Sequence, residues 1–307
     1  MKSTRHIGLV MIITGAVLWG VSGPMIQWLF QHTNLTSADY LVVRLIAAGV
    51  ITLCFLFFRK QDIFKIWKHP RHWIQLVIFA VLGMLGAQYA FIETVYISNA
   101  VTATLFQFLG PVLIMVYAAI LNKKFPSAVQ FIALFAALAG VFYLITNGSV
   151  QDIVLSKKAI IFGILTALGF TFYTLHPASL IKTWGTSVIV GWGMLLGGVV
   201  LFFMNPSFRI SEMAKTLTLP TLSMLIFIIL SGTVSFVLYI GSLKYLTATE
   251  TSLLSSIEPL IAAILSIMWL DESFGGYQLL GGAFIVIAVV FLTIPEKEAT
   301  IITEKVS

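Results

Sequence analysis

Residues 251–270 read TSLLSSIEPLIAAILSIMWL, a run whose one charged residue is Glu258 and whose one proline is Pro259. About 20 largely apolar residues are enough to carry a helix across the roughly 30 Å hydrocarbon core of a bilayer. Inside that core every backbone N–H and C=O must find its partner within the protein, so such a run is a helix. On a helix, Thr251, Ser255, Glu258 and Ala262 follow i, i+4, i+7, i+11 and form one stripe of polar and small side chains. Pro259 has no N–H to give, which leaves the carbonyl of Ser255 without its helical partner, one turn from the carboxylate.

The same punctuation recurs 148 residues earlier. Pro111 falls on Pro259, Ala100 on Ala248, Gly15 on Gly163, Gly49 on Gly197 and Gln130 on Gln278. The polar stripe maps onto Ala103, Gln107, Gly110 and Ile114. Working outward, ten apolar runs are long enough to span: Ile7–Phe30, Tyr40–Phe58, Trp73–Val95, Ala100–Leu121, Ser127–Ile145, Ala159–Leu175, Ser187–Phe203, Thr221–Leu243, Thr251–Leu270 and Gly276–Ile294. Each run of the first half meets a run of the second without a gap. Five spans per half is an odd number, so the second half enters the membrane upside-down relative to the first. The expected fold is an all-α polytopic membrane protein of ten transmembrane helices in two inverted-topology five-helix repeats. The repeats are residues 1–148 and 149–296, followed by a cytoplasmic tail, 297–307.

Composition agrees. Charged residues are 10% of the 307, against about 25% in an ordinary soluble domain. The hydrophobic set is 59% and the mean hydropathy is +1.01. Too few charges remain to cover a soluble surface, which excludes a soluble enzyme, a disordered chain and a collagen-like rod. The net charge of +6 comes from lysines and arginines that lie almost entirely in loops, so nucleic acid is not an expected partner. With the N-terminus inside, Lys2, Arg5, Arg59, Lys60 and most of the other lysines and arginines fall on the cytoplasmic side. Lys157, Lys158, Arg209 and Lys215 fall outside. The positive-inside rule therefore puts both termini in the cytoplasm of a multi-pass cell-membrane protein. The lone Cys54 forms no disulfide within the chain and reads as a small buried side chain.

At this point the sequence resembles the drug/metabolite transporter superfamily, EamA type. The resemblance rests on two five-helix halves, short loops, the Trp19-Gly20 pair in the first helix and mid-helix prolines in helices four and nine. It is closest from Ser256 through Ile257-Glu258-Pro259-Leu260-Ile261-Ala262 to Trp269-Leu270-Asp271-Glu272. In the first half Lys123-Lys124 stands where the matching acidic residue would fall. The resemblance covers about residues 7–294 and implies a ten-helix transporter of small metabolites, often amino acids moved outward, without ATP hydrolysis.

Charges within the bilayer cost about 2.5–3.5 kcal/mol each on the insertion scale, so Arg44, Glu93 and Glu258 are functional candidates by position. Glu258 either binds a substrate amine or takes up a proton, or it is a neutral carboxyl hydrogen-bonded inside the bundle. The 148-residue offset predicts that Gln107 and Glu258 approach the midplane from opposite halves. Ser255, Gln88 and Ser22 are polar groups at a depth where each needs a partner, and Trp19, Tyr173 and Tyr239 are candidate aromatic walls. Trp192 and Tyr89 share that aromatic reading, with packing as its alternative. Arg44 and Glu93 either form an outer gate pair or serve separately, with Arg44 snorkelling to the outer surface. Gly193 and Gly197 form a GxxxG, read as packing within a monomer or as the seam of a homodimer.

No catalytic residue, metal site or cofactor is expected. The histidines lack zinc spacing, and there is no G-x-x-x-x-G-K-[ST] loop for ATP. The expected partners are a small-molecule substrate and the lipid bilayer. The reading is thus a secondary transporter or facilitator, moving amino acids or similar amphipathic solutes outward by alternating access. Its rivals are an exchanger of phosphorylated or sugar-nucleotide metabolites, a membrane-embedded enzyme and a lipid scramblase. The topology makes a direct prediction. Alkaline phosphatase fused after Ser307 will be inactive, and green fluorescent protein at the same place will fluoresce. The reverse pattern would overturn the orientation.

Overall fold

The computed structural model describes residues 2–98, 100–123, 126–146, 148–149, 156–208, 217–270 and 275–293, and they form helices joined by short connections. The first half contains α1 (Lys2–His32), α2 (Ser37–Phe58), α3 (Pro70–Ile97), α4a (Ala100–Gln107), α4b (Leu109–Asn122) and α5 (Ala128–Thr146). The second contains α6 (Lys157–Leu175), α7 (Thr186–Met204), α8 (Leu219–Ser242), α9a (Ala248–Leu254), α9b (Ile257–Leu270) and α10 (Gly276–Thr293). A short connecting helix, Ala178–Trp184, precedes α7. Among the described residues seven helices are each long and apolar enough to cross a membrane, α9 counted as one. The remaining three spans contribute the shorter apolar stretches Leu109–Ala118, Ala128–Gly140 and Leu279–Ala288. Side-chain oxygens fix several of the starts. Thr36 accepts from the N–H of Asp39, Ser156 from that of Ala159, and Thr218 and Thr247 close capping boxes.

Three of these helices depart from the regular spans that the apolar runs predict. Helices four and nine are interrupted, at Phe108 and at Ser255-Ser256, each just before its proline. The expected free carbonyl at Ser255 is absent, because the N–H of Glu258 turns back and donates to it at 2.9 Å. The hydroxyls of Ser255 and Ser256 donate to the carbonyls of Ser252 and Leu253 at 2.6 and 2.5 Å, which satisfies the rest of the turn. Helix three contains a π-helical turn at Phe79–Leu85, where the N–H of Gly86 reaches back to the carbonyl of Val81.

The helices pack in a pattern that survives exchange of the halves. The contacts α2–α7 and α5–α10 pair each helix with its own repeat mate. The contact α1–α8 exchanges with α6–α3, and α1–α9b exchanges with α6–α4. A pseudo-two-fold axis therefore relates the two halves, and their odd span number makes the repeats inverted. The outward faces are apolar, with Phe57, Phe58, Phe203, Leu219 and Met268 exposed. Several buried hydroxyls are satisfied on their own helices. Thr94, Thr104 and Thr174 donate to carbonyls four residues earlier at 2.8, 2.7 and 2.8 Å. Cys54, expected inside, lies exposed on the outward face of α2.

Bare backbone sets the closeness of the seams. A Cβ at Gly49 would lie 2.5 Å from the backbone nitrogen of Leu195, and one at Gly198 would lie 2.9 Å from that of Ile46. Gly193 and Gly197 face Phe79, Met84, Ala80 and Leu85, so the GxxxG edge of α7 is occupied by α3 of the same chain. Gly49→Ala will lower the melting midpoint in detergent, because the crowding atom is backbone and the helices must separate, at a cost of about 1–3 kcal/mol. Gly276→Ala, with nothing within 4 Å of the added Cβ, will melt as the parent does. Equal midpoints for all three proteins would refute the seam.

Candidate functional site

A cavity lies between the halves, lined from α1, α2, α3, α4a, α6, α8 and α9b, with about 680 Å³ of empty space counting its open mouth. Glu258 reaches it because the interruption of helix nine ends beside Gly20 of α1. A Cβ at Gly20 would lie 2.6 Å from the backbone carbonyl of Glu258, an approach that any larger residue would prevent. The Glu258 side chain is 6% exposed and accepts a hydrogen bond from the amide nitrogen of Gln107 at 3.2 Å. The two repeats thus meet at the cavity through one amide–carboxylate bond.

Arg44, 6% exposed, also lines the cavity. It does not snorkel to the surface. Its guanidinium lies 5.9 Å from the ring centroids of Tyr40 and Phe236, a cation–π placement on both. It rests against Gly232, where a Cβ would come within 2.7 Å of a guanidinium nitrogen. Among the described residues it has no carboxylate partner. Glu93 instead accepts from the hydroxyl of Ser37 near the start of α2, so the structure does not bring Arg44 and Glu93 together as an ion pair.

Gln88 lies just beyond the π turn of α3 and is 4% exposed. Both ends of its amide are buried with no hydrogen-bond partner among the described residues, and the side chain lines the cavity. Leaving a buried polar group unmatched costs about 1–3 kcal/mol, so a solute that completes it recovers part of that cost. Ser22 donates to the carbonyl of Leu18 at 2.7 Å and shares a 2.9 Å hydroxyl contact with Ser231 of α8. Trp19 packs edge-on to Phe236 at 4.8 Å, and Phe170 packs on Tyr173 at 5.2 Å, giving the cavity an aromatic wall.

The remaining sequence candidates fall outside the lining. Tyr239 stands one layer behind, fully buried, its hydroxyl 2.9 Å from that of Thr174. Ser255 is consumed in the turn of helix nine. Trp192 donates to the carbonyl of Ile63 at 2.9 Å and packs on Trp67, and Tyr89 packs on Phe162. Phe170, Phe236 and Thr166 line the cavity without having stood out in the sequence. The repeat held a signal for two of them: shifted by 148, Ser22 falls on Phe170 and Gln88 on Phe236.

Toward the start of α1 the two halves are tied together. Arg5 pairs with Glu250 of α9a at 3.0 Å, and Gly8 sits where a Cβ would lie 2.8 Å from Leu246 and Tyr245. This ion pair, like the Gln107–Glu258 bond, joins the first half to the second.

Comparison with known proteins agrees with this arrangement. The model of the EamA-like transporter family matches the chain twice, over residues 6–146 and 157–294. A protein of Salmonella typhimurium named as the uncharacterized inner membrane transporter YicL is 32% identical over 299 residues, covering 97% of this chain and 98% of its own length. A solved crystal structure of 15% identity superposes with a TM-score of 0.72 over 95% of this chain and 97% of its own, a likeness of fold. The chain is a multi-pass membrane protein that belongs to the EamA-like transporter family.

Proposed function

We propose that this transporter moves small amphipathic metabolites, amino acids foremost, outward across the cytoplasmic membrane by alternating access, with the cavity between the repeats as the substrate site. One observation supports this reading above the others: the guanidinium of Arg44 and the carboxyl group of Glu258, each residue 6% exposed, line a single cavity whose third polar wall, Gln88, is unpartnered among the described residues. A solute carrying both charges meets a partner for each. Glu258 with Gln107 receives the ammonium end, and Arg44 with Gln88 receives the carboxylate end. The apolar body of the solute lies on Trp19, Phe170 and Phe236. Arg44 is the sole Lys or Arg in the described lining, which favours a carboxylate over the several charges of a phosphorylated solute. The inverted halves supply two related orientations, and the Arg5–Glu250 pair is a contact that opening toward the α1 start must break.

The test is uptake into proteoliposomes, with a labelled panel of amino acids, amines lacking a carboxylate, carboxylates lacking an amine, and phosphorylated sugars. Saturable flux is expected for amino acids. Glu258→Gln and Arg44→Gln will each raise the half-saturation concentration about tenfold or more, since each removes a hydrogen bond to a charged group. Arg44→Gln will lose selectivity for the carboxylate, and Glu258→Gln selectivity for the amine. Amino-acid flux that is unchanged in both variants would remove the two residues from the site. Flux of phosphorylated sugars alone would replace the substrate class.

A further inference from the structure

A second pocket opens at the end of the bundle where α1 begins, between α1, α7 and α8, with about 580 Å³ of empty space counting its mouth. It is separate from the central cavity and shares no lining residue with it. One wall is the N-terminus of α7. Gly185, at φ 84, ψ 152, ends the short helix and turns the chain into α7. Few residues other than glycine adopt that positive φ. Glycine has no side chain to cap with, so the first N–H groups of α7, from Thr186, Ser187 and Val188, receive no side-chain cap.

Two side chains extend this row of donors. The hydroxyl of Thr186 is buried, on a residue 6% exposed, and has no hydrogen-bond partner among the described residues. It faces α8, lying 3.8 Å from where a Cβ on Gly241 would sit. Lys244, on the far wall just beyond α8, is exposed and has no carboxylate partner among the described residues. No acidic residue is among the described lining of the pocket. Trp184 and Tyr245, residue types that favour the membrane–water boundary, also line it, and Met11 and Val237 provide apolar surface.

The uncapped N–H groups at the positive end of a 19-residue helix, an unmatched buried hydroxyl and a lysine bring several donors to a pocket that the neutral Gln61 amide also lines and that holds no carboxylate among its described residues. The geometry points to a binding site for a phosphate group, held between the α7 N-terminus, Thr186 and Lys244. The phosphate belongs either to an anionic lipid headgroup at the membrane surface or to a free phosphate compound, and the chemistry of recognition is the same for both. This site is independent of the transported substrate.

The full-length protein, purified in detergent, is titrated with phosphatidylglycerol and with phosphatidylcholine under native mass spectrometry. In parallel, its melting midpoint is followed against inorganic phosphate. The variants are Thr186→Val, which keeps the shape and removes the hydroxyl, and Lys244→Gln at an exposed position that does not endanger folding. Thr186→Val is expected to weaken binding about tenfold and Lys244→Gln about fivefold. Saturable phosphatidylglycerol adducts that weaken in both variants, with little phosphatidylcholine bound, identify a lipid headgroup. A phosphate-dependent rise in midpoint that is lost in both variants, without lipid adducts, identifies a free phosphate compound. If the parent binds neither, or both variants titrate as the parent does, the site does not exist.

Discussion

A carbonyl buried in hydrocarbon has no water to turn to, and Pro111 and Pro259 each take away a partner at the middle of a span. Around Pro259 the chain answers with a tight turn. The N–H of Glu258 fills the Ser255 carbonyl, and two serine hydroxyls fill carbonyls before it. The turn sets where Glu258 leaves its helix, and Gly20 lets α1 lie directly against that point. Trp19 and Ser22 come to the cavity on the same helix segment. The site is thus a by-product of how the backbone is satisfied around Pro259, and the aromatic wall is arranged around it.

The same constraint explains what the sequence made legible. Ten apolar runs, spaced by charged or Pro-rich connections, have no alternative in a bilayer to ten helical spans, and the observed ends lie within a few residues of the runs. The meeting of Gln107 with Glu258 was readable because the repeat carries one stripe onto the other. The lining by Gln88, Ser22, Trp19 and Tyr173 follows from depth and polarity, which sequence records well. Rotation about a helix axis is recorded poorly when every face is apolar. Cys54 points to the exterior and Trp192 packs under a loop for that reason.

Arg44 illustrates the gap most clearly. Its depth fits equally well a snorkelling residue, a gate charge and a cavity charge. The choice is made by Gly232, which lies on another helix 188 positions later and leaves room for the guanidinium. No local pattern encodes such a pairing. The interruption in α3 is similar: periodicity across residues 79–85 does not announce its π turn.

That turn bears on the energetics of the whole molecule. Two identical halves, inverted, would make the inward-facing and outward-facing arrangements symmetry-related states of equal free energy. The repeat mate of residues 79–85 lies in α8, which is ordinary α-helix from Leu219 to Ser242. A π turn shifts the phase of the helix beyond it by about one residue, or roughly 100°. One half therefore carries a local distortion that the other lacks. On the alternating-access reading proposed above, that difference gives the empty protein a preferred resting side, set by its own backbone before any solute or gradient acts on it.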